Sequence, residues 1–467
     1  MEENGETESE NRDKTNRERE HENIENNKYD YVILGTGLVE CVMAKLLSDR
    51  GKKIIQIDKN SSYGSELRTL RYTELENSLG GKIDPELLAL DRKFSLDLTP
   101  KFLLADGLMK RFLCKYGLSD LVSFTPIKGS FIFKHGKLRT IPTDEKKAMM
   151  SNVVGMWQKP KMMKFFWDVR KYSELKIKNK ESMYAFKRTM EEEFSSYGLN
   201  GESIEFVGHA IALNLDDSYL KLDPKITFDK IFLYVRSLLS FKECINSPYI
   251  YPLYGLSEIC QAFSRKASLN GTVYMLNTPI RRIERKDDIF EIEIFNTCNK
   301  RREIVAGKYL IGEPGYFEDR VETTCEVIRC ICIIKGKVEI LEENVSSQVI
   351  FLSSEFKRKN DIFLAILGPE ECSTPDGYMV GIISTVKETE NPGREIEDIV
   401  RKLGNVKRKF LEVREVKVPS EGYENVFISK SVDQTTHFES LFGDILRIAK
   451  EVGIEEELRD VCSCVMG

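Results

Sequence analysis

The strongest chemical signal in this sequence is carried by two glycines and two acids. Gly35-Thr36-Gly37-Leu38-Val39-Glu40 follows the apolar, β-branched run Tyr29–Leu34 and opens a segment, Leu38–Arg50, whose apolar residues Leu38, Val42 and Leu46 keep helical spacing. In a strand–turn–helix of this kind, glycines let the backbone approach a pyrophosphate held on the amides of the helix N-terminus. Asp58 closes the next apolar run, Lys53–Ile57, and stands where an acid takes a ribose hydroxyl. The chemistry implied is FAD or NAD binding. Position 40 opposes it. The fingerprint wants Gly or Ala there, for close packing of helix on strand, and the sequence has Glu40. A carboxylate in the first helical turn can accept the unpaired amides, and it would take the place of the pyrophosphate in size and in sign. Gly35, Gly37, Glu40 and Asp58 are therefore expected to frame a vestigial dinucleotide turn that holds no cofactor.

No other constellation replaces that chemistry. The sequence contains no G-x-S-x-G, P-loop or H-E-x-x-H. His209 lies in the apolar segment Ile204–Leu213 and reads as a core histidine rather than a base. With four histidines and eleven scattered cysteines, among them the C-x-C pairs Cys330/Cys332 and Cys462/Cys464 but no C-x-x-C, neither a zinc site nor a disulfide framework is expected. Cys464-Val-Met-Gly467 has the outline of a prenylation box, with an atypical final glycine. No catalytic residue and no metal ligand stand out, and a binding protein is favoured over an enzyme.

The elements that position these residues follow from periodicity. Strand, glycine turn, helix and second strand form a βαβ unit, the start of a parallel α/β sheet. Residues 72–142 are mixed: a strand at Phe94–Leu98, a helix at Pro100–Tyr116 and a hairpin at Gly129–Ile141 turning on His135-Gly136. From Thr143 to about Phe241 the spacing is helical, and four to six helices are expected. After Pro248 the pattern predicts a helix at Ser257–Asn270, strands at Thr272–Leu276, Ile280–Phe295, Lys308–Ile311, Val327–Lys335, Ile362–Leu367 and Tyr378–Ser384, and helices at Ile396–Leu411 and Phe438–Val452. The expected fold class is α/β: a flavoprotein-like, multi-segment domain I with parallel and mixed sheets (29–142 and 246–460), plus a smaller all-helical domain II (143–245). A short tail covers 461–467.

Charge narrows the choice of partner. Ten of the 75 acids and five of the 70 bases fall in residues 1–28, leaving 65 of each in the remainder. Residues 1–28 are almost free of apolar side chains and are expected to be a disordered acidic leader rather than a secretory signal. An electroneutral body argues against nucleic acid. No apolar stretch approaches the length of a membrane span, so a cytoplasmic protein is expected.

Blocks along the chain carry a family resemblance. YDYVILGTGLVECVMAKLLSDRGKKIIQIDKNSSYG (29–64), LDLTPKFLLADG (96–107), GSFIFKHGKL (129–138), SNVVGMWQK (151–159), FVGHAIAL (206–213), SPYIYPLYGLSEICQAFSR (247–265), YMLNTPI (274–280) and TTHFE (435–439) occur in this order. Together they resemble the Rab GDP dissociation inhibitor family, whose superfamily includes the Rab escort proteins. The resemblance implies a soluble regulator that extracts GDP-bound, prenylated Rab GTPases from membranes, touching the membrane surface transiently, as a monomer or a 1:1 complex with Rab. It places a Rab-binding platform on Tyr63, Arg92, Lys101, Glu258, Arg265 and Met275, and a pocket for the geranylgeranyl lipid in domain II, with Met156, Met163, Phe166, Phe206 and Ile211 as candidates.

The residues themselves are compatible with both assignments. Glu258 and Arg265 are two helical turns apart and project from one face, which a solvated helix would equally show. Seven of the 13 methionines and both tryptophans lie within 149–190, and methionine suits a pocket that opens for a flexible chain as well as an ordinary plastic core. The chain departs from the family pattern at Val273, Lys93 and Ser65, where the family has Thr, an acid and Gly. Two alternatives stay open: an escort protein, disfavoured by the compact spacing between Leu138 and Ser151, and a flavin-dependent oxidoreductase, disfavoured by Glu40.

Overall fold

The computed structural model describes residues 28–141, 155–214, 216–240, 247–420, 422–458 and 461. Residues 1–27, Thr143, Met149, Met150 and the Cys462/Cys464 tail, on which several sequence expectations rest, lie outside the described residues.

The βαβ unit forms as the periodicity predicts. β1 (Lys28–Leu34) leads through the glycine turn into α1 (Leu38–Asp49), and β2 (Ile54–Ile57) returns beside β1 in parallel, Leu34 opposite Ile57. Every residue of α1 from Leu38 to Ser48 is buried. A helix buried all round must be covered on both sides: the sheet lies on one, and the helices Ser257–Leu269 and Glu439–Val452 pack on the other. The first sheet is mixed, with seven strands. Val273–Met275 extends it in parallel beyond β2. On the far side of β1 the long strand Arg301–Gly312 runs parallel, ending with Gly312 opposite Leu34. Strands Ile280–Lys286 and Ile289–Asn296 then complete an antiparallel meander. The carboxyl ends of β1, β2 and Arg301–Gly312 thus gather at one edge, where open α/β sheets place their ligands.

A second seven-stranded sheet is antiparallel except for one pair, Ser347–Phe351 beside Gly129–Lys134. The hairpin turns on His135 and Gly136, both at positive φ (51° and 74°), as a two-residue turn between paired Lys134 and Lys137 requires. One expected element is overturned here. The helix predicted over Ile396–Leu411 stops at Leu403, and Gly404–Pro419 is a strand along Val321–Val338. Gly404, at φ 88°, ends the helix, and from there residues 406, 408 and 410 face inward. The inward Arg408 disguised the alternation; its guanidinium is gripped by the buried Glu76. The helix expected over Pro100–Tyr116 likewise begins only at Leu108, after the short strand Leu103–Leu104. The strands Ser347–Phe351, Tyr249–Pro252, Phe124–Pro126 and Val426–Ile428 were not foreseen.

The strands Phe124–Pro126 and Tyr249–Pro252 pair with each other, and among the described residues from Lys159 to Ser240 the chain is helical. Lys159–Ile177 and Pro224–Ser240 are its longest helices, joined by Met190–Tyr197, Gly201–Glu205 and a π-helical turn, Phe206–Ile211. Phe165 is the hub of its aromatic packing, with ring centroids 5.4 Å from Phe194, Tyr197 and Phe228. This core is continuous with the apolar layer around α1. Among the described residues no helix is long and apolar enough to cross a membrane.

Candidate functional site

The glycine turn is occupied from within the chain. Glu313, the residue after the strand Arg301–Gly312, reaches across the turn. Its Oε1 accepts the Gly37 amide at 2.8 Å and its Oε2 accepts the Ser65 hydroxyl. Only glycine admits it, because a Cβ on Gly35 would lie 2.2 Å from Glu313 Oε1. The Gly37 amide thus goes to Glu313 and not, as expected of a first-turn acid, to Glu40. One turn into α1, Glu40 is buried, its Oε1 has no hydrogen-bond partner, and its carboxylate also leans on Gly37, with Oε2 2.6 Å from a Cβ placed there. Burial raises the pKa of both acids, and the charges of Glu40 and Asp58 raise that of Glu313 further.

Asp58 is equally committed. Its Oδ2 accepts the Thr36 hydroxyl at 2.5 Å, and its Oδ1 accepts the Asn60 amide and side chain at 2.7 and 2.8 Å. A dinucleotide therefore does not fit these residues. A carboxylate fills the pyrophosphate cradle, a second acid lies beneath it, and the ribose acid is already satisfied. Glu313 was missed by sequence reasoning, although one signal was present: an acid directly after a buried parallel strand falls at the carboxyl edge of the sheet, level with the glycine turn.

The turn also sets the wall of a cleft. Gly64, at φ 109°, donates its amide to the Thr36 carbonyl at 3.0 Å, and Ser65, itself at φ 50°, is tied to Glu313. These bonds fix the loop that carries Tyr63, whose ring meets Tyr274 edge-on with centroids 5.8 Å apart. Opposite stands the outward face of the helix Ser257–Leu269. The resulting cleft, about 370 Å³, is lined by Tyr63, Leu121, Tyr274 and, from the helix, chiefly Glu258, Gln261 and Arg265. Gln261 bonds Glu258 at 3.3 Å, and partial burial raises the Glu258 pKa. Arg265 is exposed and has no ion-pair partner among the described residues. The cleft therefore offers one acid, one base and two tyrosines, a set suited to a polar protein surface.

The other platform candidates lie outside that lining. Arg92 is exposed on the 3-10 turn Asp91–Lys93, and Met275 is half-buried at the end of the strand Val273–Met275, packed against the first sheet's core. Lys101 is sealed inside: its Nζ bonds Asp433 Oδ1 at 2.5 Å and Thr435 Oγ1 at 3.0 Å, and burial pushes its pKa down while Asp433 is held well below the usual carboxylate range. The domain II candidates divide in two. Phe206 and Ile211 are buried in the π-helical turn and Phe166 is half-buried beside Phe165, whereas Met163 (45 %) and Met156 (80 %) are exposed.

His209, expected as a core histidine, is buried but doubly bonded to acids. Nδ1 meets Asp361 Oδ2 at 2.8 Å and Nε2 meets Asp217 Oδ1 at 3.2 Å. Burial alone would lower its pKa. The hydrogen bond and charge of Asp361, with Asp217 adding, outweigh it and push the ring up to about 9. Asp361 directly precedes the strand Ile362–Leu367 of the second sheet, so the imidazolium clasps the helical segment to that sheet.

Comparison with known proteins agrees with this geometry. A Rab GDP-dissociation inhibitor from Saccharomyces cerevisiae is 34 % identical over 425 residues, covering 89 % of this chain and 93 % of its own length. The crystal structure of a Rab GDI from Plasmodium falciparum superposes with a TM-score of 0.82 at 31 % identity, covering 91 % of this chain and 98 % of that one. An oxidoreductase from Methanosarcina mazei shares the fold alone, with a TM-score of 0.53 at 12 % identity over 91 % of this chain and all of that one. A flavoprotein-like fold whose cofactor cradle is filled by its own acid separates this chain from such enzymes, and the profile described as GDP dissociation inhibitor matches residues 25–459, so the chain belongs to the GDP dissociation inhibitor family.

Proposed function

We propose that this chain is a Rab GDP dissociation inhibitor: it binds GDP-bound, prenylated Rab GTPases, slows GDP release, and carries them between membranes through the cytoplasm without catalysing a reaction. The observation that carries this reading is the cleft in which Tyr63, Glu258 and Arg265 converge, at the positions where the family resemblance puts the platform. An acid and a base without charged partners among the described residues leave both to the switch surface of a GTPase, with Gln261 between them as a neutral donor. Arg92 and Met275 extend this surface, and Lys101 acts from beneath it by anchoring the segment around Asp433. Glu313 and Glu40 replace a cofactor, which supports a binding role over an oxidoreductase.

In this reading, residues 29–142 and 246–460 form the platform domain and 143–245 the lipid-binding domain. A geranylgeranyl chain loses roughly 0.8 kcal/mol per CH₂ on leaving a bilayer, so its carrier must supply an apolar lining. Phe206, Ile211 and Phe166 are close-packed around Phe165 and its neighbours, so the pocket would open by parting these helices, with Met163 and Met156 as the adaptable rim. The test is to incubate membranes carrying GDP- or GTP-loaded prenylated Rab with the protein and measure release. Selective extraction of the GDP form is expected; no extraction of either form refutes the proposal. Met163→Glu or Phe166→Glu is expected to weaken binding of prenylated Rab and spare the unprenylated contacts. Equal loss of both by a folded variant would refute the division between platform and pocket.

A further inference from the structure

We propose that the outward face of the helix Lys159–Ile177, together with the turn before it, is a docking surface for an anionic lipid bilayer, independent of any bound GTPase. Both tryptophans of the chain are here, and both are left in water: Trp157 is 89 % and Trp167 71 % exposed. They are not displaced core residues. The inward face of the helix is complete without them, with Met162, Phe165, Val169 and Tyr172 buried against Phe194 and Phe228. Trp167 stands on the opposite side of the helix, one turn from the exposed Met163, and Trp157 lies in the turn that enters it, where the Gln158 amide donates to the Gly155 carbonyl.

The charge around the indoles identifies the occupant. The helix carries six bases and two acids, in a body (29–467) whose acids and bases balance as a whole. Lys164 and Lys171, two turns apart, flank Trp167 on the exposed face. The two acids are engaged: Asp168 accepts the Tyr197 hydroxyl at 2.8 Å, and Glu174 pairs with Arg170 at 3.4 Å. Indoles set among lysines on a convex helix face have no cavity to fill. They match the headgroup layer of a membrane, where the ring takes the boundary between water and acyl chains and the ammonium groups meet anionic lipid. The binding cleft at Tyr63 and Glu258 lies on the α/β part of the chain and shares none of these residues.

The placement of the tryptophans supplies the test. The full chain, without any GTPase, is mixed with vesicles of phosphatidylcholine, with or without phosphatidylserine. Tryptophan emission should move to shorter wavelength and the protein should co-sediment with the phosphatidylserine vesicles only, with both effects falling as salt is raised. Trp157→Ser with Trp167→Ser should abolish co-sedimentation and leave the circular dichroism unchanged, since both side chains are exposed. Lys164→Gln and Lys171→Gln should each weaken binding about fivefold, the factor contributed by one basic residue near an anionic surface. Unshifted emission with no co-sedimentation overturns the proposal, as does undiminished binding by the double tryptophan variant. Emission that shifts only when a GTPase is added in vesicle-free solution also overturns it and assigns the face to a protein partner. Because the assay contains no GTPase, its failure leaves the Rab extraction result standing on its own.

Discussion

Replacing His209 by glutamine should cost stability in a way that depends on pH. The folded pKa of His209, about 9, lies above the ordinary value of 6.5. The contribution is therefore complete below pH 6.5 and is lost as pH rises through about 9. Linkage with these values gives a ceiling of about 3 kcal/mol at pH 6.5, about 2 kcal/mol at pH 7.5 and under about 0.5 kcal/mol at pH 9. The two acids do not share it equally. Asp361 is 4 % exposed at its side chain and Asp217 77 %, so solvent screens the second contact and the Asp361 pair supplies most of the gain. Urea unfolding is followed by far-ultraviolet circular dichroism, because both tryptophans are already exposed in the folded chain and their emission would change little. The gap between the native chain and His209→Gln should narrow steadily from pH 6.5 to pH 9, and Asp361→Asn should remove the same alkaline dependence. A gap that stays constant over that range would refute the idea that a charged ring clasps the two parts.

Three further outcomes test the site. Lys101→Met leaves Asp433 buried without its cation and should destabilise the fold by about 3–5 kcal/mol, read as a lower urea midpoint; an unchanged midpoint would mean that Lys101 works at a surface. Gly35→Ala forces a side chain at φ 99° into the Glu313 carboxylate and should lower the melting temperature sharply, whereas Gly51→Ala, with open space around it, should cost only the strain of its positive φ. Glu258→Ala and Arg265→Ala should each weaken Rab·GDP binding by about 1.5–3 kcal/mol in titration calorimetry while leaving stability unchanged, since neither has a charged partner among the described residues; a loss confined to stability would count against the cleft.

What the sequence made legible was local. β1, the glycine turn and α1 announce themselves through a short apolar run, two glycines and apolar residues at helical spacing, and those elements form where expected; Tyr63, Glu258 and Arg265, which the family resemblance singles out, line one cleft. What stayed hidden depended on contacts across the chain. The strand Gly404–Pro419 was read as helix because Arg408 occupies an inward position, and its partner Glu76 is 332 residues away. The family resemblance implies Lys101 at a surface platform; it is buried because it pairs with Asp433, equally remote in sequence. Glu40 was assigned the amide that Glu313 takes, because the choice between two acids depends on the register that sets Gly312 beside Leu34.

The Glu313 side chain over the glycine turn also bears on how this protein differs, in thermodynamic terms, from an enzyme of the same fold that binds a diffusible cofactor. An enzyme that binds a diffusible cofactor gains stability in proportion to the logarithm of that cofactor's concentration, so its folded population follows supply. Here the occupant of the cradle is covalently part of the chain. Its local concentration is set by geometry and cannot be diluted, competed away by a scarce metabolite or depleted. The loop bearing Tyr63 therefore rests on a foundation that is present from the moment the sheet closes, and its order does not track the redox or vitamin status of the cell.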